Sequence, residues 1–219
     1  MGNFPETTGR VDDWDVIVIG HLRVNTYFGE TYGAPPRGDP STCTSVMVRG
    51  RAPDGAPYIL VIDPTIRASA RDYDFDINRR TGLHLSDVTH CFCTHHHADH
   101  YEALSYFPDA AWYAGPEAAV LIQDNVNGKI TGVKGEFLPG VRAVPLPGHT
   151  RSLYGAAFTH DGKRVLAAGD AVMSKYHFIH ETTDFQNDPE LIQEAARSIR
   201  DMKRLYDMVV PGHDNIIVI

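Results

Sequence analysis

The chain has 219 residues, with 20 Lys and Arg against 28 Asp and Glu and a formal net charge of −8. An acidic chain repels phosphate backbones, and no Lys/Arg run offers a local exception, so nucleic acid is disfavoured as a partner. No apolar run approaches the length of a membrane span, while 42% hydrophobic residues suffice for a sizeable core in one domain over residues 1–219.

The N-terminal stretch MGNFPETTGR is polar and lacks the apolar core of a signal peptide. Glu6 stands where a myristoylation signal wants Ser or Thr. Three cysteines, Cys43, Cys91 and Cys93, make no disulfide framework, so a reducing, cytoplasmic setting is expected. A first strand is predicted over residues 14–21. A long polar, Pro/Gly-rich stretch from Val24 to Thr42 follows, and loops of that length are often functional. Its aromatics Tyr27, Phe28 and Tyr32 are candidates to wall a pocket or to pack the loop down. SVMVRG and PYILVID read as a hairpin around PDGA, residues 53–56, with Asp-Gly as the turn signal.

Residues 64–86 read as irregular to helical. VTHCFCT, residues 88–94, is a strand apolar on both faces, as in a sheet covered on two sides. Cys91 and Cys93 are two apart and share one face, as core residues. YEALSYF fits a short helix that Asp99 can cap. AAWYAG is a strand, PEAAVLIQ a helix opening with Pro, and VRAVPLP a strand running into GHT. LYGAAFTHDGKRVLAAGD gives two strands joined by an Asp-Gly turn. MSKYHFIHETTDFQN reads as an aromatic-bearing loop. PELIQEAARSIRDMKRL is the best helix, with Leu191, Ala195, Ile199 and Met202 at helical spacing and Asp188-Pro189 at its start. A strand, a turn and the apolar tail IIVI close the chain; the tail is a sheet edge or the contact of a homodimer.

Four loops share a pattern: THHHADH (94–100), PGHT (147–150), AGDA (168–171) and PGHD (211–214) each follow an apolar strand. If those strands lie side by side, one sheet edge carries His95, His97, Asp99, His100, His149, Asp170 and His213. Imidazole and carboxylate are the usual ligands of divalent cations. Seven are too many for one tetrahedral ion and enough for two ions about 3.5–4 Å apart sharing a carboxylate. His21, His84, His90 and His160 read as ordinary structural or surface histidines. His96 is expected to point away from the ligands beside it.

His-x-His-x-Asp-His, a distant Gly-His, a Gly-Asp and a late Pro-Gly-His, in this order, resemble the signature of the metallo-β-lactamase superfamily. The resemblance spans nearly the whole chain and looks closest to its compact domain-containing hydrolases. It implies an α/β fold, an αββα sandwich of two mixed sheets with outer helices and metals at one edge. It implies His95, His97 and His149 at a first cation, Asp99, His100 and His213 at a second, and Asp170 between them. Asp63 falls where relatives carry an acid that supports the ligands. The cofactors implied are two divalent ions per chain, zinc by ligand type, with manganese or iron also suited. A bridging hydroxide would attack, with Asp99 as the catalytic group that accepts its hydrogen bond. Tyr176, His177 and His180, after the Asp170 loop, are candidate substrate contacts.

Departures from subfamily patterns narrow the chemistry. Six residues follow His213, which leaves no room for the helical domain of glyoxalase II-like thioesterases, and no large insertion marks a cleavage-factor nuclease. Met173 stands where quorum-quenching lactonases carry tyrosine, although Tyr176 is near. True β-lactamases usually lack the carboxylate found at Asp170, and His97 stands where flavin-linked diiron proteins carry glutamate. The expectation is a hydrolase of a small ester, thioester, lactone or amide. The alternatives are a phosphodiesterase or ribonuclease with a basic rim of Arg49, Arg51 and Arg67, a mononuclear iron thiol oxidase, and a non-catalytic metal-binding protein.

Overall fold

In the computed structural model the described residues are 8–22, 41–184 and 186–219, with the backbone of 24–25 and 30–31. Tyr27, Phe28, Tyr32 and the first seven residues lie outside them. The chain enters as β1 (Arg10–Val18), followed by a two-stranded ribbon of β2 (Val24–Asn25) and β3 (Glu30–Thr31). β4 (Ser45–Arg51) and β5 (Pro57–Ile62) form the predicted hairpin, in register from Val46↔Ile62 to Arg51↔Pro57. α1 (Ala70–Thr81) leads to β6 (His90–Cys93), then come β7 (Ala111–Ala114), α2 (Pro116–Gln123) and β8 (Ile130–Gly132). The second half runs through β9 (Gly135–Leu138), β10 (Val141–Pro145), β11 (Tyr154–His160) and β12 (Lys163–Gly169). It ends with α3 (Lys175–His180), α4 (Pro189–Leu205), β13 (Met208–Pro211) and β14 (Ile217–Val218).

Two six-stranded sheets result, ordered β1-β4-β5-β6-β7-β8 and β14-β13-β12-β11-β10-β9. Both are mixed. β5 to β8 pair in parallel beside the antiparallel β1-β4-β5, and the second sheet has one parallel pair, β12 with β13. Strand alternation explains the layering. Leu60, Ile62 and Phe92 face the other sheet and meet Val141, Ala156, Phe158 and Val210 in the central core. Val61, Cys91 and Cys93 face outward and pack with Tyr73, Ile77 and Ile122 of the helical side. On the far side Leu166, Ala168 and Val209 meet Ile199 and Met202 of α4. Layers of helix, sheet, sheet and helix make the expected αββα sandwich.

α4 has its predicted bounds because its signals agree. Asp188 accepts the Glu190 amide at 2.9 Å, Pro189 occupies the first turn, and Leu191, Ala195, Ile199 and Met202 are the buried positions. Truncating Ile199, fully buried, to alanine would cost about 2–5 kcal/mol.

Three expectations need correction, and two short strands went unpredicted. β1 runs over residues 10–18 rather than 14–21, because its polar start pairs with Arg49, Gly50 and Arg51. The short β8 and β9 carry too few alternating residues to have signalled themselves. The segment after Met173 is not all loop, since Lys175–His180 closes a helical turn. Asp99 does not cap the turn of Glu102–Tyr106, whose N-cap is Tyr101 with no side-chain capping bond. The tail is a sheet edge: Ile217 pairs with Val209, and Val218 with Met208.

Candidate metal centre

The four loops do not come from strands lying side by side. THHHADH leaves β6 in the first sheet, whereas the His149, Asp170 and His213 loops leave β10, β12 and β13 in the second. The two sheets bring them to one edge of the sandwich. Tyr154 N–H donates to the Thr94 carbonyl at 2.9 Å and ties the first loop across to β11.

At that edge two groups form. His95, His97, His149 and Asp170 offer ligand atoms within 4.8 Å of one another, and so do Asp99, His100 and His213. Asp170 stands between them. Its Oδ2 lies 3.4 Å from His149 Nε2 and 3.9 Å from His95 Nε2, while its Oδ1 lies 3.2 Å from His213 Nε2 and 3.3 Å from His100 Nε2. Asp99 Oδ2 is 3.6 Å from His213 Nε2 and 4.0 Å from His100 Nε2. His97 Nδ1 is 2.9 Å from His149 Nε2.

Hydrogen bonds fix which ring nitrogens face inward. His100 Nδ1 donates to Asp63 at 2.9 Å, and His213 Nδ1 donates to the Thr42 carbonyl at 3.0 Å, so both leave Nε2 to the cluster. Thr94 Oγ1 donates to Asp63 at 2.8 Å and sits 3.1 Å from His95 Nδ1. Asp63 also accepts the Thr94 amide at 2.7 Å. One buried carboxylate thus orients His100 directly and His95 through Thr94. It does so from φ 50°, a left-handed conformation that aspartate tolerates better than most residues. Two glycines make room. Gly169 has φ 52°, and a Cβ there would strike the Thr94 side chain; a Cβ on Gly212 would strike Asp170 Oδ1.

The cluster fits cations better than it fits itself. His95 Nε2, His100 Nε2 and Asp170 Oδ1 are buried without a hydrogen-bond partner, an arrangement that costs stability unless something else satisfies it. Burial pushes the His95 and His149 imidazoles below their usual range, toward the neutral form a ligand needs. Burial alone would raise Asp170, but the charge of His213 and His100 holds it well below the carboxylate range. Burial would lower His100 and His213 too, yet the groups facing them, Cys43, Asp63 and Asp170 for His100 and Asp170 for His213, raise both.

Other expected residues fall elsewhere. His96 turns aside and meets Ser152 Oγ at 3.1 Å. His84 contacts Asp74, His90 stacks on Tyr113, His160 reaches the Asp12 carbonyl and His21 meets Thr42 Oγ1. His177 is buried with both nitrogens engaged, by Ser174 and Asp184, so it is not presented to a substrate. The Tyr176 and His180 rings lie 4.3 Å apart, tilted by 43°, with His180 exposed. Arg49, Arg51 and Arg67 form no free basic rim, because each pairs with an acid: Asp13 and Asp15, Asp12, and Asp76. Sequence reasoning missed Thr94, the Thr42 carbonyl and Cys43. Cys43 is buried beside Asp63 and His100, its thiol pushed up to about 11 by burial, and it donates to the Asp63 carbonyl at 3.6 Å. A threonine, a main-chain oxygen and a lone thiol carry no periodic signal.

The profile described as the metallo-β-lactamase superfamily matches residues 38–213. No curated protein matches the sequence. A candidate metallo-β-lactamase from Thermotoga maritima superposes with a TM-score of 0.67 at 19% identity, over 96% of this chain and 100% of that one. The metallo-β-lactamase SMB-1 bound to 2-mercaptoethanesulfonate gives 0.59 at 21% identity, over 78% and 74%. An N-acyl homoserine lactone hydrolase with N-hexanoyl-L-homoserine at its catalytic metal centre gives 0.57 at 19% identity, over 90% and 89%. Those identities speak for a shared fold. Because the profile covers residues 38–213 of 219, the chain belongs to the metallo-β-lactamase superfamily.

Proposed function

We propose that this chain is a dinuclear metal-dependent hydrolase of a small-molecule ester, thioester, lactone or amide. The observation that carries the reading is the division of Asp170. One oxygen faces His149 and His95, and the other faces His213 and His100. Zinc suits this nitrogen-rich set, and manganese or iron would also be accepted. When bound, two such cations lower the pKa of water toward neutrality and polarise a carbonyl or phosphoryl oxygen.

The chain's own residues would do the rest. His95, His97 and His149 would hold one cation and Asp99, His100 and His213 the other. Asp63 would keep His100 and His95 in the right tautomer and orientation. Asp99, only partly buried, stands at the more open side of the second group, where its carboxylate could take a proton from the attacking water. The superposed lactone hydrolase supports including lactones among the substrates. The paired state of Arg49, Arg51 and Arg67 supports acyl over polyanionic substrates, since no free guanidinium of that set is left to neutralise phosphate.

The test is a hydrolysis panel on protein of counted metal content, comparing a lactone, a thioester, an aryl ester and an aryl phosphodiester. The expected result is two cations per chain and turnover of an acyl substrate that chelation abolishes. Preference for the phosphodiester would overturn the substrate class; a single bound iron would overturn the dinuclear reading.

A further inference from the structure

Outside the ligand set, the segment leading into α4 carries a hydrogen-bonded serine, histidine and aspartate. Ser174 Oγ lies 2.8 Å from His177 Nδ1, and His177 Nε2 lies 2.9 Å from Asp184 Oδ2. These are the residue types of a nucleophilic triad. Their setting is that of a fastener. Ser174 is the N-cap of α3, His177 is buried, and the His177 carbonyl accepts the Thr182 amide at 3.2 Å. One imidazole therefore holds both ends of the turn from 174 to 184. Lys175 N–H adds a bond to Asp214 Oδ2 at 2.9 Å, beside His213.

What this turn delivers is Gln186. Its Nε2 donates to the His149 carbonyl at 3.1 Å and to the Gly148 carbonyl at 3.4 Å, while its Oε1 accepts the Asp188 amide at 2.8 Å. The amide orientation follows from its partners, since carbonyls only accept and a backbone N–H only donates. Ser198 Oγ donates to the Pro147 carbonyl at 3.3 Å and Gly148 N–H to the Thr150 carbonyl at 3.3 Å, but Gln186 bonds the His149 carbonyl itself. Gly148 adopts φ 154° and lies so close to α4 that a Cβ would come within 2.6 Å of Ala195 Cβ. A residue of that conformational freedom does not fix the backbone of the histidine after it.

We propose that Gln186 is a positioning residue for His149, and that the Ser174–His177–Asp184 chain fixes the segment carrying it. This rests on the reading of His149 as a cation ligand. Supporting residues around a metal site typically change affinity about 10–100-fold. Gln186→Ala removes the hold, and Gln186→Glu sets a carboxylate against two carbonyls. His177→Phe keeps the buried volume and drops both ring bonds.

The experiment is zinc titration of the metal-free protein against a chromophoric chelator, with the thermal midpoint of the metal-free protein measured alongside. In Gln186→Ala one of two binding steps should weaken about 10-fold, more so in Gln186→Glu. His177→Phe should follow in the same direction, and the other step should hold. Cobalt(II) absorption should change in the same variants, reporting an altered ligand field. Two unchanged steps, or equal weakening of both together with a lowered metal-free midpoint, would overturn the inference while leaving the metal reading intact. A wild-type chain that binds no cation would overturn the metal reading, and this inference with it.

Discussion

The β1 edge of the first sheet and the candidate metal edge of the sandwich both set aspartates against basic side chains, to opposite use. Along β1, Asp12 meets Arg10 and Arg51, and Asp13 and Asp15 meet Arg49, on partly exposed side chains. Such pairs contribute little to stability, but charges on an edge strand discourage pairing with other chains. At the metal edge Asp63 and Asp170 are buried, with side-chain exposures of 2% and 5%. Their partners are histidines rather than arginines. Arginine would carry a permanent charge, leaving no place for a cation. Histidine can release its proton and leave the buried carboxylate in need of one. The choice of partner separates a surface device from a site.

Asp170→Asn tests that difference most severely. It keeps the shape and removes the charge both groups share. Metal affinity should fall at or beyond the upper end of the roughly 100-fold that supporting residues cost, with loss of turnover. A variant that retains two cations per chain by elemental analysis would show that Asp170 does not bridge. Gly212→Ala should come next, although it alters no ligand. Its methyl group would stand where Asp170 Oδ1 lies, with the Gly169 carbonyl carbon 3.0 Å away. Displacement of Asp170 should cost activity and at least one cation. Wild-type metal content in a folded Gly212→Ala protein would mean that the loops shift freely and the cradle is not rigid.

The residues of the cluster were legible in the sequence as candidates and the groups that hold them in place were not, for a physical reason. His95, His97, Asp99, His100, His149, Asp170 and His213 sit in loops whose residue types are costly elsewhere, so their grouping stands out. Helix α4 was legible to the residue because cap, proline and apolar spacing all agree. β1 was misplaced because its first residues are polar and are recruited by pairing with β4, a tertiary effect without local pattern. The lead from KYHFIH toward a substrate wall was weakened by Ser174 and Asp184, which engage His177 from three and seven residues away. Only folding reveals such engagement. For the same reason the division of the ligand loops between two sheets lay beyond any reading of strands one at a time.

Asp63→Asn sharpens the comparison at smaller magnitude. Asparagine also tolerates the left-handed backbone at this position, so the variant isolates charge from strain. Weakening of about 10–100-fold is expected for the second cation, the one held by His100. A smaller loss is expected for the first, which Asp63 reaches only through Thr94 and His95. Equal losses at both positions, measured by stepwise zinc titration, would argue that Asp63 supports the whole edge rather than His100.

The smallest effect belongs to the other side of the comparison. Arg49→Ala removes a guanidinium that meets two carboxylates, a geometry that would matter greatly if buried. Here the side chains of Arg49, Asp13 and Asp15 are 26%, 54% and 33% exposed, so solvent screens both the attraction and its loss. The expected destabilisation is about 0–1 kcal/mol in urea unfolding, with metal content and turnover unchanged. A loss of several kcal/mol would mean that the aliphatic stem of Arg49 covers β1 as core. A loss of metal would mean that the two edges communicate through β4, and the division of labour drawn between them would fail.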